Sequence, residues 1–458
     1  MKLVVVGGDA AGMSAASQAR KRLKDKLDVV VFERGHFTSY SACGIPYWIG
    51  GSVEDRDALV ARSPQAHRDA GLDVRIRHEV VGIDLDRRKV VAHDLDGGGE
   101  VREDFDHLVY AAGAVPIIPE WAQAPGDGVF GVQTLDDGEA IHAWLDNEPN
   151  PQRAVVIGGG YIGVEMAEAM VNRGLTVTLL EKAPQPLSTV DPDMGARVHE
   201  AIEGLGIEVR VNAAVSGLQI ADGRVCGVVT TDGELPADVV VLGLGVRPNT
   251  TLAADAGLPL GVTGGLLTDL QMRVAGPSGP MDGLWAAGDC VQTTHRVSGR
   301  PVHVPLGTHA NKQGRVAGIN IGGGYATFPG VIGTAVTKVC ELEVARTGLT
   351  EKEAEEAGYA FVTATVESTS RAGYYPGAAS MVIKLIAEKR TGLLLGAQIV
   401  GRKEAAKRID SLAIALWNHM TVEEMTALDL SYAPPFSPVW DPVLIAARKT
   451  TDAVQAAA

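Results

Sequence analysis

Cysteine is scarce in this chain of 458 residues, which contains only Cys43, Cys226, Cys290 and Cys340. The four residues lie far apart and show neither a Cys-x-x-Cys pattern nor the spacing of zinc ligands. We therefore predict no structural disulfide and no metal site, which is consistent with a reducing compartment.

Long apolar runs and basic clusters are also missing. No segment offers the roughly 18 uninterrupted apolar residues that a membrane-spanning helix needs. Met1-Lys2-Leu3 leads directly into an apolar strand without the pattern of a signal peptide. The formal net charge of −15 repels nucleic acid and anionic membrane surfaces. We expect a cytoplasmic protein with neither nucleic acid nor membrane as a partner.

Two glycine-rich segments are present, and each directly follows an apolar run. We call residues Gly7 to Gly12 the first glycine loop and residues Gly158 to Gly163 the second. The second is a complete G-x-G-x-x-G pattern, whereas the first has Asp9 in place of the middle glycine. Glu33 and Glu181 end the next apolar runs, where an acid can bind the ribose of a dinucleotide. The sequence therefore predicts two dinucleotide sites.

The order of the elements predicts an α/β protein. Each glycine loop lies between an apolar strand and a helix, which indicates two βαβ units with parallel sheets. The length and the 46% hydrophobic content allow about three domains. We expect a first domain at 1–115 and 250–324, a second at 116–249, and a third, without a glycine loop, at 325–458.

Further short motifs accompany the two glycine loops. They are Ser39 to Tyr47 with its single Cys43, Ala111-Ala112-Gly113, Gly245 to Asn249, Ala287-Gly288-Asp289 and Ser431 to Ser437. With them the chain resembles, along almost its whole length, the single-cysteine flavoprotein disulfide reductases. That branch contains coenzyme A disulfide reductases, NAD(P)H persulfide reductases and related NADH oxidases and peroxidases. The resemblance implies two Rossmann-like domains, for FAD and NAD(P)H, and an α+β C-terminal domain that forms a homodimer.

Cys43 carries the chemistry that this resemblance implies. Gly44 and Pro46 predict a turn followed by the first turn of a helix, where unpaired N–H groups and the helix dipole favour a thiolate. We therefore expect a lowered thiol pKa. The two-cysteine reductases carry a second thiol five residues on, where this chain has Trp48. Oxidised Cys43 must then be a mixed disulfide with a small thiol, a persulfide or a sulfenic acid.

The resemblance also implies which residues bind the cofactors. The FAD contacts would be Gly7, Gly8, Ala11, Gly12, Glu33, Arg34, Ala112, Gly113, Gly288 and Asp289. The NAD(P)H contacts would be Gly158, Gly160, Tyr161, Ile162, Gly163 and Glu181, with Gly245 as a further cofactor contact. Asp289 matches the carboxylate that binds the ribityl hydroxyls, and Tyr161 matches the aromatic that covers the flavin until nicotinamide displaces it. Glu181 would repel a 2′-phosphate and favour NADH, although Lys182 beside it leaves NADPH possible.

Substrate positions can be carried over in the same way. The coenzyme A-binding positions of the disulfide reductases match Ser14, Gln18, Lys21 and Ser39. Two tyrosines that approach the cysteine from the partner subunit match Tyr374 and Tyr432. Ala42 stands where the coenzyme A enzymes usually have asparagine, and Ala10 stands where the oxidases and peroxidases have a histidine. The matches favour a small thiol or disulfide as substrate.

These observations predict an FAD-dependent NAD(P)H oxidoreductase that reduces a small-thiol disulfide or persulfide through Cys43. One alternative is an NADH oxidase, in which reduced flavin reacts with oxygen. The other is a non-catalytic redox sensor whose Cys43 reports the thiol state to a partner protein. Turnover without added protein separates an enzyme from a sensor, and consumption of disulfide against oxygen separates the two enzymes.

Overall fold

The computed structural model describes residues 1–123, 126–147 and 151–457. The remaining six residues fall within the predicted second and third domains. The α-helices of the described residues are α1 (Ala10–Leu23), α2 (Ile45–Ile49), α3 (Pro64–Asp69), α4 (Leu135–Asn147), α5 (Tyr161–Asn172), α6 (Pro192–Glu203), α7 (Thr251–Asp255), α8 (Gly307–Ile321), α9 (Glu351–Glu356), α10 (Ile409–Trp417), α11 (Val422–Met425) and α12 (Pro442–Ala457).

The strands of the described residues form several separate sheets. They are β1 (Lys2–Val6), β2 (Asp28–Phe32), β3 (Asp73–Arg75), β4 (His78–Asp84), β5 (Lys89–Asp94), β6 (Glu100–Asp104), β7 (His107–Tyr110), β8 (Ala114–Pro116), β9 (Val129–Gly131), β10 (Arg153–Ile157), β11 (Thr176–Leu180), β12 (Glu208–Arg210), β13 (Val215–Ala221), β14 (Arg224–Thr230), β15 (Gly233–Pro236), β16 (Val239–Leu242), β17 (Val246–Pro248), β18 (Arg273–Gly276), β19 (Gly279–Ala286), β20 (Thr293–Thr294), β21 (Pro301–Val302), β22 (Ala335–Val339), β23 (Leu342–Gly348), β24 (Phe361–Thr369), β25 (Ser380–Glu388) and β26 (Leu394–Arg402).

The first sheet contains strands from two distant parts of the chain. Its order is β18-β19-β7-β1-β2-β3, and β1 is parallel to both β2 and β7. Leu3, Val4 and Val5 of β1 are completely buried, as a central strand covered on both faces requires. Helices α1 and α8 pack against each other beside this sheet. The chain thus returns to its first unit after leaving it, although the exact domain boundaries stay predictions.

The second sheet is wholly parallel, with the order β12-β11-β10-β16-β9. Helix α5 follows β10 directly and packs on β10 and β11. The antiparallel pair β8 and β17 lies where the chain passes out of the first unit and back towards it. The carboxyl ends of β1 and β10 therefore each open onto a glycine loop, which confirms the two predicted Rossmann-like units.

The C-terminal region is built on an antiparallel sheet with the order β22-β23-β26-β25-β24. Helix α12 packs on β24 and β25, and α10 packs on β23 and β26. This arrangement confirms the predicted α+β third unit. A 3-10 turn at Ala406–Arg408 leads directly into α10.

A buried ionic junction connects the second unit to the third. Lys384 of β25 is 5% exposed, and its Nζ lies 2.8 Å from Asp193 Oδ1, 2.8 Å from Glu351 Oε1 and 3.2 Å from Asp191 Oδ2. Gln398 of β26 donates a hydrogen bond to Asp191 Oδ2 at 2.6 Å. Burial lowers the pKa of Lys384, but the hydrogen bonds to Asp193 and Glu351 outweigh it and raise that pKa. Every charge at this junction is therefore paired.

Among the described residues, no helix combines the length and the apolar character needed to cross a bilayer. The same residues contain no group of three or more His, Cys, Asp or Glu side chains arranged to hold a metal ion.

Candidate active site

The first glycine loop turns the chain sharply between β1 and α1. Gly7 has φ +105°, and a Cβ at this position would collide with a backbone carbonyl oxygen beyond β7. A Cβ at Gly12 would collide with the carbonyl oxygen of Gly7, so α1 can begin directly against β1. Glu33, after β2, accepts hydrogen bonds from the N–H groups of Gly8 and Gly35, both at 2.7 Å. Its carboxylate thus lies at the loop, as in a dinucleotide site.

A surface recess beside Glu33 extends this site. Its lining includes Glu33, Arg34, Phe37, Tyr40, Arg77 and Asp136. Arg34 forms an exposed ion pair with Glu79 at 3.6 Å. An acid next to a glycine loop, together with aromatic rings and guanidinium groups, fits the adenosine half of a dinucleotide such as FAD.

Two carboxyl groups lie further along the same edge of the first sheet. Burial raises the pKa of Asp289, which follows β19, and His303 opposes this shift. Burial also raises the pKa of Asp9, to about 7, and Glu33 adds to the shift. The N–H of Tyr40 donates to Asp9 Oδ1 at 3.2 Å and acts in the opposite direction. Asp9 therefore connects the first glycine loop to the segment that precedes Cys43.

Backbone turns bring the remaining predicted FAD positions to this edge. Gly113 has φ +67° and, with Ala112, follows β7, while Gly288 has φ +90° and follows β19. A Cβ at Gly288 would approach the Cβ of Ala11 to 2.9 Å, so the first helix and this turn are in close contact.

The second glycine loop repeats this construction between β10 and α5. Gly158 has φ +103°, and a Cβ at Gly163 would collide with the carbonyl oxygen of Gly158. A Cβ at Gly160 would meet no protein atom within 4 Å, so space is open above the start of α5. Glu181 accepts hydrogen bonds from the N–H groups of Gly159 at 2.5 Å and Ala183 at 2.6 Å. The loop fits a second dinucleotide.

Tyr161 and Ile162 form the first turn of α5, and both are partly buried. Burial raises the pKa of the Tyr161 hydroxyl, which accepts a hydrogen bond from Thr189 Oγ1 at 3.2 Å. Gly245, with φ +84°, lies between β16 and β17 at the same end of the second sheet.

Cys43 lies in a 3-10 turn, Ala42–Gly44, immediately before α2. The residue is exposed, and its thiol is free. The sequence predicted a lowered pKa for the Cys43 thiol, and this prediction is wrong. Loss of solvation raises the thiol pKa, and the carboxylates of Glu165 and Asp289 raise it further. Only a backbone hydrogen bond of Cys43 itself acts in the opposite direction.

Three of the predicted substrate positions lie on α1, and the fourth, Ser39, lies four residues before Cys43. Ser14 donates a hydrogen bond to Asn311 Oδ1 of α8 at 2.8 Å, Gln18 is partly buried and Lys21 is exposed. Ser39 has φ +49°, and its hydroxyl lies 3.0 Å from Nε2 of the buried His67. Burial lowers the pKa of His67 to about 4, so this contact is made by a neutral imidazole at pH 7.

Tyr374 and Tyr432 lie on the surface of the third unit and are 79% and 47% exposed; Phe436 and Trp440, shortly after Tyr432 in sequence, are exposed as well. The pKa of Tyr432 is raised, by loss of solvation and then by Tyr374, with which it shares a hydrogen bond. Among the hydrogen bonds of the described residues, none joins either tyrosine to Cys43, whose charged neighbours are Glu165 and Asp289. The two tyrosines therefore lie together on the third unit without a hydrogen bond to the cysteine of their own chain.

Comparison with known families identifies the protein's class. The family model for pyridine nucleotide-disulphide oxidoreductases matches residues 1–314, and the model for the dimerisation domain of the same family matches residues 334–442. The chain belongs to the pyridine nucleotide-disulphide oxidoreductase family.

Individual relatives indicate which branch of the family this oxidoreductase resembles most. It is 38% identical to an NAD(P)H coenzyme A polysulfide/persulfide reductase of Pyrococcus horikoshii over 98% of both chains. It is 36% identical to an NADH oxidase of Methanocaldococcus jannaschii, again over 98% of both chains. The solved structure of an NAD-dependent persulfide reductase from A. fulgidus superposes with a TM-score of 0.95 at 37% identity, covering 100% of this chain and 84% of that one. The predicted branch is confirmed.

A structural relative of 27% identity, with a TM-score of 0.78, is named an FAD-dependent pyridine nucleotide-disulphide oxidoreductase. The individual site residues of the present chain and its choice between NADH and NADPH stay predictions.

Sequence reasoning missed Glu165, which lies one helical turn after Tyr161 on α5. Its Oε1 accepts a hydrogen bond from Thr337 Oγ1 of β22 at 2.7 Å. Burial raises the pKa of Glu165, while its hydrogen bonds with Thr337 and Tyr47 lower it. The four-residue spacing from Tyr161 was a usable signal, because such residues share a helix face.

Proposed function

We propose that this oxidoreductase uses NAD(P)H to reduce the disulfide or persulfide of a small thiol, with Cys43 as the reacting residue. The observation that supports this most directly is the free thiol of Cys43, whose charged neighbours are Glu165, on the helix after the second glycine loop, and Asp289, at the sheet edge that carries the first. Each loop also has an acid at the position that binds ribose. The persulfide-reducing activity named for the relatives agrees with it.

The first glycine loop would hold FAD. Glu33 would accept hydrogen bonds from the adenosine ribose, the N–H groups at the start of α1 would face the diphosphate, and Asp289 would accept hydrogen bonds from the ribityl chain. When bound, FAD supplies two-electron transfer between nicotinamide and sulfur. The open space above Gly160 would admit the diphosphate of NAD(P)H in the same manner at the second loop.

Glu181 would favour NADH. Its carboxylate is fixed by two backbone N–H groups and so presents a permanent acceptor to a 2′-hydroxyl and a permanent negative charge to a 2′-phosphate. Lys182 is exposed beside it and is free to turn towards a 2′-phosphate, which keeps NADPH as a weaker substrate.

Cys43 would react as a thiolate, which forms when the thiol, whose pKa is raised by loss of solvation, gives its proton to solvent before the attack. Its sulfur attacks one sulfur of the substrate disulfide, the S–S bond breaks, and the second sulfur leaves as a thiolate that takes a proton from solvent. The product is a mixed disulfide between Cys43 and one half of the substrate. Trp48 excludes an internal disulfide partner at that position, so two electrons from NAD(P)H are needed to release the bound half and restore the thiol.

The active unit would be a homodimer. The dimerisation-domain match includes both Tyr374 and Tyr432, which are exposed on the third unit. Because neither hydroxyl bonds to the cysteine of its own chain, a two-fold pairing could present both tyrosines to the partner's Cys43. Mixing inactive Cys43→Ser with an equally inactive Tyr374→Phe/Tyr432→Phe variant should then restore partial activity after subunit exchange. A monomer in light scattering would contradict this arrangement.

A test of the cysteine compares Cys43→Ser with Cys226→Ser, since both thiols are free and exposed. We expect Cys43→Ser to keep FAD but to lose the reduction of disulfides and persulfides, because a hydroxyl is a far weaker nucleophile than a thiolate at pH 7. Cys226→Ser should retain activity. Wild-type reduction of coenzyme A disulfide by Cys43→Ser would contradict the proposal.

Oxygen is the second candidate acceptor, since one relative of 36% identity is named an NADH oxidase. This reaction would not need the thiol of Cys43. NADH consumption by Cys43→Ser that matches oxygen uptake and equals the wild-type rate would identify oxygen as the main acceptor.

A further inference from the structure

The loop between β11 and α6, residues 181–191, touches three parts of the second unit. At its start, Glu181 Oε1 accepts a hydrogen bond from Ala183 N–H at 2.6 Å. In its middle, the N–H of Leu187, which has φ +48°, donates to the carbonyl oxygen of Gly159 at 2.7 Å. Near its end, Thr189 Oγ1 donates to the Tyr161 hydroxyl at 3.2 Å. One short segment thus joins the ribose-binding acid, the glycine loop and Tyr161.

Arg346 of β23 fixes this loop from the third unit. Its Nη1 donates to the carbonyl oxygen of Thr189 at 2.8 Å, and its Nη2 donates to Gly348 O and to Glu353 Oε2, both at 2.7 Å. Its side chain is 11% exposed. A planar guanidinium with three such acceptors has little freedom to move, so it sets the position of the Thr189 backbone.

We propose that Thr189, positioned by Arg346, is a latch that holds Tyr161 in place until NAD(P)H displaces the tyrosine. This inference rests on the proposed function, in which the nucleotide binds at the second glycine loop and Tyr161 gives way to nicotinamide. Thr189 acts only through Tyr161 and is a positioning residue.

The cost of opening follows from the contact between Thr189 and Tyr161. Because Arg346 holds the Thr189 backbone, displacing Tyr161 breaks the hydrogen bond from Thr189 Oγ1. A nucleotide that needs the open position therefore binds with an apparent affinity reduced by the fraction of open molecules. Removing one such hydrogen bond should strengthen binding about fivefold.

The test titrates NAD⁺ into the oxidised holoenzyme and follows the flavin absorbance, so that no turnover is involved. Thr189→Val removes the hydroxyl and keeps the shape, whereas Thr189→Ser keeps the hydroxyl and is the matched control. We expect the Kd for NAD⁺ to fall about fivefold in Thr189→Val and to stay at the wild-type value in Thr189→Ser. Flavin fluorescence should rise in Thr189→Val alone, because a released tyrosine no longer quenches the flavin.

Arg346→Lys tests the latch in a second way, because lysine keeps the positive charge but lacks the planar guanidinium that fixes Thr189. It should lower the Kd in the same direction as Thr189→Val. An unchanged or higher Kd in both variants, measured on folded protein, would overturn the latch.

Glu181→Ala separates this failure from a failure of the proposed function. If Glu181→Ala weakens NAD⁺ while both latch variants behave as wild type, the nucleotide site stands and the latch is wrong. If Glu181→Ala leaves NAD⁺ binding unchanged, the assignment of the second glycine loop fails and the latch fails with it.

Discussion

The two glycine loops have nearly the same backbone and differ at the middle position. The first glycine has φ +105° in one loop and +103° in the other, and in both the last glycine lies against the carbonyl oxygen of the first. Glu33 and Glu181 each accept two backbone N–H groups, one of them from the loop itself. The middle position is Asp9 in the first loop and Gly160 in the second.

This difference separates what the turn needs from what a ligand needs. The outer glycines are fixed by contacts within the protein, because any side chain there meets backbone. The middle position faces open space in the second loop, so the fold does not restrict it to glycine. In the first loop, the middle position is Asp9, which accepts a hydrogen bond from Tyr40 N–H. This contact joins the loop to the segment that precedes Cys43.

The largest loss of stability is expected from a substitution at an outer glycine of either loop. Gly12→Ala and Gly163→Ala should each destabilise the protein by about 4 kcal/mol or more, since the new methyl group would overlap a carbonyl oxygen. Gly12→Ala should also lose FAD. Denaturant unfolding and flavin content check this, with Gly99→Ala as the control because its Cβ would meet no atom within 4 Å. Wild-type stability of either variant would contradict the account of the turn.

Asp9 should make the first loop sensitive to pH. Its pKa of about 7 in the folded protein lies above its ordinary value of 3.8, so the folded state holds the proton more tightly. Stability should therefore fall as pH rises from about 4 to 7, by roughly 2–4 kcal/mol from this group. The measurement is denaturant unfolding at pH 5 and pH 8 for wild type and Asp9→Asn. Equal pH dependence in the two proteins would show that Asp9 is not responsible.

Gly160→Ala tests the middle position of the second glycine loop, and Gly163→Ala tests its last position. The methyl group of Gly160→Ala would enter open space, so the stability should change by no more than about 0.5 kcal/mol. Binding of NAD⁺ should weaken about tenfold, because the same space would receive the diphosphate. Calorimetric titration and thermal unfolding measured together decide it: lost stability with unchanged binding would reverse the roles of the two glycines.

Glu181→Ala should give the smallest effect. The ratio of kcat/KM for NADPH to that for NADH should rise by about three- to tenfold, because the variant loses a charge that repels a 2′-phosphate and an acceptor for the 2′-hydroxyl. Glu33→Ala is the contrasting variant and should reduce FAD retention without changing this ratio. A wild type that strongly prefers NADPH would contradict the role given to Glu181.

The sequence predicted those parts of the molecule that depend on neighbours along the chain. The apolar runs of β1 and β10, the turns at Gly7 and Gly158 and the start of α5 follow from local residue types. The pKa of Cys43 could not be predicted, because the carboxylates of Glu165 and Asp289 come from other elements. The contact between Arg346 and Thr189 spans 157 residues of sequence, and no local pattern marks it.

The junction around Lys384 has a consequence for how the enzyme cycles. Lys384 and Asp191 are 5% and 3% exposed and lie 3.2 Å apart, so a hinge between the second and third units would have to separate a buried ion pair. Large-scale opening of that seam is therefore disfavoured. We expect the nicotinamide to gain access by rotation of individual side chains rather than by domain motions on the microsecond to millisecond scale. Catalysis in this molecule would then proceed inside a nearly rigid frame.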